Sequence, residues 1–131
     1  MDEREVRDWV AEYLSAYAAF GRGESQSADV VEYYGIPMCL TTDDVDISLG
    51  SRDEVGAWLQ SQADAMRTAK YDHTETVASE VEILNRNTAL HRAEFSRQRA
   101  DGTEINHMSV TYIITRGADG LRISALLLHS P

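Results

Sequence analysis

The sequence predicts an α+β fold: a curved, mostly antiparallel sheet wrapped around three N-terminal helices. Two patterns carry this reading. Apolar residues recur at three- and four-residue spacing through most of the first seventy positions, and at every second position from Thr74 onward. The later strand-like segments are separated by turns rich in Asp and Gly. A sheet with one apolar face needs a cover, and amphipathic helices supply it.

The first helix is expected from about Asp2 to Phe20. Asp2 caps it, and Glu5 three residues on completes an acidic capping box. Val6, Trp9, Val10, Tyr13, Tyr17 and Phe20 form one apolar stripe, and Gly21 and Gly23 end it. A second helix is expected over about 27–34, stopped by Gly35 and Pro37. Met38-Cys39-Leu40 reads as a short strand with Cys39 as an inert core thiol. Val45, Ile47 and Leu49 alternate with polar residues, as a half-buried strand does. Ser51-Arg52-Asp53-Glu54 opens the third helix, with Val55, Trp58, Leu59, Gln62, Ala63 and Met66 inward and an end near Ala69.

Strands are expected over 74–84, 88–99, 104–115 and 121–129. A two-residue Asp101-Gly102 turn pairs Phe95 with Met108, Ala93 with Val110, His91 with Tyr112 and Ala89 with Ile114. That face is apolar apart from His91 and the Tyr112 hydroxyl. A three-residue loop would mix the two faces. The last strand, Ile123 to Leu128, is apolar on both sides, which implies burial on both. Helices cover one side, and a second subunit is the simplest cover for the other, so a homodimer is expected.

The 131 residues fit one domain spanning 1–131. The formal net charge is −10, from 22 acidic and 12 basic residues, which argues against nucleic-acid and anionic-membrane partners. A single cysteine rules out an intramolecular disulfide. No apolar run reaches the roughly 20 residues of a membrane span and the start is charged, so a cytoplasmic location is expected.

At this point the chain resembles the nuclear transport factor 2-like (NTF2-like) superfamily, and within it the SnoaL-like, or polyketide cyclase-like, domains. The resemblance covers about residues 2–130. It rests on the helix order, on Tyr33-Tyr34-Gly35-Ile36-Pro37, on the long helix after Ser51 and on Arg97-Gln98-Arg99-Ala100-Asp101-Gly102. Asp119-Gly120-Leu121-Arg122-Ile123 looks like the family's Gly-Trp-Arg-Ile close, with Leu121 where Trp is common. The resemblance implies a cystatin-like fold, its sheet curved around a cone-shaped cavity. The superfamily includes ketosteroid isomerases, dehydratases, cyclases, epoxide hydrolases and many non-catalytic members, so fold alone does not set function.

The expected cavity is bounded by Tyr17, Trp58, His91, Phe95, Met108 and Tyr112. His91 is the candidate base, because imidazole exchanges protons near neutral pH. Tyr112 is the candidate donor to a developing oxyanion. Tyr17, Trp58, Phe95 and Met108 are the candidate substrate-binding residues for an apolar small-molecule ligand. Asp43, Asp44 and Asp46 form an acidic bend that offers an alternative base. No histidine or cysteine pair has ligand spacing, so neither metal nor cofactor is expected. The leading expectation is a small-molecule-binding protein of isomerase, cyclase or dehydratase type. The alternative is a non-catalytic binding or assembly module of the same fold.

Overall fold

The computed structural model describes residues 1–129. Helix α1 spans Glu3–Gly21, α2 Ala28–Val31 and α3 Arg52–Thr68. Six strands follow in chain order: β1 Tyr34–Thr41, β2 Asp46–Leu49, β3 Tyr71–Asn85, β4 Thr88–Arg99, β5 Glu104–Gly117 and β6 Gly120–His129. They form one sheet in the order β2-β1-β6-β5-β4-β3. Every neighbouring pair is antiparallel except β1 with β6.

Side-chain caps start the long helices. Asp2 Oδ1 accepts the Glu5 N–H at 2.8 Å, and Ser51 Oγ accepts the Glu54 N–H at 3.1 Å. Each cap contributes about 1 kcal/mol. Past the end of α1, the Glu24 N–H donates to the Ala19 carbonyl and the Gly23 N–H to the Phe20 carbonyl, a Schellman close with Gly23 at φ +83°. The Arg67 guanidinium then ties α3 to this end, donating to the Phe20 carbonyl at 2.9 Å.

The inner sheet face and the helices share one core. Phe20, Val30, Met38, Val55, Leu59, Ile114 and Ile123 are fully buried within it. On β6 the inward residues are Leu121, Ile123, Leu126 and Leu128, while Ala125 and Leu127 are only half-buried on the other face. The expected burial of β6 on both sides is therefore incomplete within one chain.

Three local expectations need correction. The second helix is a single turn rather than eight residues. Tyr34 already belongs to β1, where it pairs with Ile123 and the Ile123 N–H donates to the Tyr33 carbonyl at 2.8 Å. Cys39 is exposed, not a core thiol, because Met38 and Leu40 on either side of it take the inward positions.

The third correction concerns the β4–β5 turn. It is a three-residue loop, Ala100–Gly102, closed by the Gly102 N–H to the Arg99 carbonyl and the Arg99 N–H to the Thr103 carbonyl, with Gly102 at φ +86°. The expected face nevertheless survives. Gln98 pairs with Glu104 and Arg97 with Asn106, so Ile105 is an extra residue that shifts the register back. Beyond it Phe95 faces Met108 and His91 faces Tyr112.

Gly102→Ala is expected to cost about 1 kcal/mol in urea unfolding. A Cβ there meets no atom within 4 Å, so the whole loss is backbone strain. An unchanged midpoint would mean that the loop does not require the left-handed conformation.

Candidate functional site

Period two along β4 turns Ala89, His91, Ala93, Phe95 and Arg97 toward the helices. Tyr13 and Tyr17 descend from α1, Trp58 and Gln62 from α3. Met108, Val110 and Tyr112 stand opposite on β5. Together these groups enclose a cavity of about 50 Å³. Its floor is Tyr13, Phe95, Val110 and Tyr112, all buried, and its half-buried rim includes Tyr17, Trp58, Gln62, Thr74, Arg97 and Met108.

An aromatic cluster surrounds the floor. Tyr13 meets Tyr112 edge-on with ring centres 5.9 Å apart, Phe95 meets Tyr112 at 6.5 Å, and Tyr34 meets Trp58 at 5.9 Å. The hydroxyls of Tyr13 and Tyr34 share a hydrogen bond at 2.5 Å. Burial raises the pKa values of Tyr13, Tyr17, Tyr34 and Tyr112 above the usual phenol value. At neutral pH these hydroxyls keep their protons, so each is available as a donor where it is not already bonded.

Five of the six expected cavity residues line this space: Tyr17, Trp58, Phe95, Met108 and Tyr112. His91 does not, which corrects the expected cavity. It lies four residues from Phe95 along β4, about 13 Å at strand spacing. There His91 is 3% exposed and packs against Tyr112, ring centres 5.7 Å apart. Its Nδ1 is buried without a hydrogen-bond partner. Burial, and then the nearby Arg7 charge, lower its pKa to about 4. His91 is therefore a buried, neutral group outside the cavity lining.

The acidic bend also lies elsewhere. Asp43, Asp44 and Asp46 are exposed, and none lines the cavity. His129 bonds Thr111 Oγ1 through Nε2 at 2.8 Å, and it lines an open groove with Ser79, Glu80, Arg92 and Glu94 rather than the cone. Among the described residues no group of three or more His, Cys, Asp or Glu side chains is placed to hold a metal ion.

The residue that sequence reading missed is Arg97. Among the described residues it is the only charged side chain lining the cavity. Its guanidinium carbon lies 5.9 Å from the Tyr17 ring centre. Its charge opposes the burial-driven rise in pKa at Tyr17, Tyr34, Tyr71 and Tyr112. The signal was present: Arg97 is two residues beyond Phe95 on the same alternating face.

A family model described as NTF2-like protein (DUF6841) matches residues 2–131, and the chain belongs to that family. No curated protein is similar enough in sequence to match. Solved structures with the same fold include a cystatin-like domain of unknown function from Nostoc punctiforme. It is 20% identical, covers 99% of this chain and 77% of its own, and has a TM-score of 0.73. A calcium/calmodulin-dependent protein kinase II association domain, so named by similarity, from Xanthomonas campestris is 13% identical, covers 100% and 89%, and has a TM-score of 0.72. A candidate ketosteroid isomerase from Parabacteroides distasonis is 11% identical, covers 96% and 85%, and has a TM-score of 0.68. At these identities the likeness is one of fold. Among the described residues no helix is long and apolar enough to cross a membrane.

Replacing His91 by Leu tests its placement. The fold favours neutral imidazole, so the unfolded chain binds more protons between pH 6.5 and about 4. Stability held above pH 6.5 is lost as pH falls through that window, by roughly 3 kcal/mol. His91→Leu should remove that loss and leave stability at pH 7 equal or higher, because an unpartnered buried polar atom disappears. Denaturant unfolding from pH 7 to 4 measures the difference. Parallel curves for the two proteins would show that His91 is not buried as described.

Proposed function

We propose that the protein binds a small ligand in the cone beneath Trp58 and Tyr17, and that binding rather than acid–base catalysis is its primary activity. The observation that carries this reading is the chemistry of the lining. It combines an aromatic and aliphatic floor, protonated phenols and one cation, and among the described residues it includes no carboxylate or imidazole. Such a site can hold and orient a ligand. It offers no group able to take a proton at neutral pH.

Size narrows the ligand. A water occupies about 10–15 Å³ of such free space, so 50 Å³ admits on the order of four water-sized groups. The buried part of the ligand is therefore a few heavy atoms, well below the usual volume of drug-sized sites. A polycyclic substrate of the kind a polyketide cyclase handles would have to displace Trp58 or Met108.

Isomerase-like chemistry is the second reading. It is favoured by the phenol donors and by the fold shared with a candidate ketosteroid isomerase. Tyr17 and Tyr112 would polarise a carbonyl. A base would have to come from outside the lining, from the ligand itself or from a bound water.

We also propose a homodimer formed through the outer sheet face. The half-buried Ala125 and Leu127 of β6, beside Ile113 of β5, support it. Sedimentation at micromolar concentration should give twice the chain mass of 14.6 kDa, and a monomer would remove this part of the reading.

Mapping small fragments by two-dimensional NMR tests the binding proposal. Resonances of Tyr17, Trp58, Phe95, Met108 and Tyr112 should shift together, with His91 least affected. Shifts centred on His91 and Arg7 would return the imidazole to the site and restore the enzyme reading. Val110→Trp, which fills the floor, should weaken fragment binding at least about 10-fold, since it replaces the whole free volume by side chain.

A further inference from the structure

We propose that Arg97 is the seat for a single carboxylate, so that the ligand of the cone is a short monocarboxylic acid whose apolar end enters between Trp58 and Phe95. This rests on the binding reading above and names its ligand class.

The first argument is the state of Arg97. The ion-paired arginines of this chain, Arg7, Arg22, Arg92 and Arg116, are exposed and each holds a glutamate. The other half-buried arginines donate to backbone carbonyls, Arg99 to Ala69 and Arg122 to Leu121. Arg97 is half-buried at the cavity rim, and among the described residues it donates to neither a carboxylate nor a backbone carbonyl. A cation drawn partly out of water needs an anion or equivalent acceptors. The phenol oxygen of Tyr17 is a weak substitute. The missing acceptor is then the ligand's.

The second argument is stoichiometry. One guanidinium neutralises one negative charge, and among the described residues no second cation lines the space. The chain carries a formal net charge of −10, so a dianion such as a phosphate ester would meet repulsion that a monoanion largely escapes. The planar guanidinium also matches a carboxylate with two parallel hydrogen bonds.

The third is the layout. Arg97 lies at the rim, flanked across the sheet by Thr74 and Asn106, while the floor is apolar. A short acid can set its charged end near Arg97 and the Gln62 amide and place three or four carbons below. The Tyr17 hydroxyl is near enough to Arg97 to share the carboxylate as a donor.

The test compares isobutyrate with isobutyramide, which have the same shape and differ in charge, by NMR titration at pH 7. Affinities on the order of millimolar are expected for so few atoms. Isobutyrate should shift the Tyr17, Trp58 and Phe95 resonances and bind about 10- to 100-fold more tightly than the amide, the usual worth of hydrogen bonds to a charged partner. Arg97→Gln should bring the acid down to the amide's affinity. Arg97→Lys should recover part of the gap, because the charge returns without the fork. Equal affinity of acid and amide in the unaltered protein would overturn the carboxylate seat and leave the binding reading standing. No response to either probe would overturn both. The comparison on unaltered protein decides the matter even if an Arg97 variant does not fold.

Discussion

The site depends on the phase of the β4–β5 pairing. A strand has two faces, and a slip of one residue exchanges them. Here the loop Ala100–Gly102 is one residue longer than the shortest hairpin turn, and by itself it would put the wrong set of β5 side chains beneath the helices. Ile105 restores the phase. Phe95, Met108, Val110, Tyr112 and Arg97 reach one cavity because that single extra residue cancels the extra residue of the loop.

The same constraint explains the electrostatics. Odd-numbered residues of β4 face inward, so the strand carries its cation into the cone along with its apolar residues. Elsewhere the chain keeps charge on the outside, as with Arg92 paired to Glu80 across β3 and β4. Inside, the phenols stay protonated and His91 stays neutral, each because burial disfavours its charged form. Among the described residues Arg97 is the one cation lining the cavity. The cone thus carries one cation among aromatic and aliphatic side chains in an acidic protein, which is the basis of the binding proposal.

Much of the fold was legible because it rests on local chemistry. The caps at Asp2 and Ser51 follow from side-chain acceptors at the right spacing, and the apolar stripes of α1 and α3 follow from the helical period. The facing pairs from Ala89–Ile114 to Phe95–Met108 were found from alternation, although the turn assumed for them was too short by one residue. What failed was what locality does not encode. Nothing near Cys39 distinguishes an apolar run buried on both sides from one buried on alternate sides. Tyr34 left its helix because β6 offered a pairing partner some ninety residues away. His91 was placed on the correct face, but how far along the strand the cavity extends is a property of packing. Arg97 differs: it is legible from the same alternation one step beyond Phe95, but a charged residue at a strand end reads equally well as solvent-facing.

The most direct measurement is a crystal structure of the protein grown with isobutyrate. The account predicts the acid between Tyr17, Trp58 and Phe95, with both carboxylate oxygens about 3 Å from the Arg97 guanidinium. An occupied site beside His91, or an unchanged cone with the acid absent at saturating concentration, would contradict it.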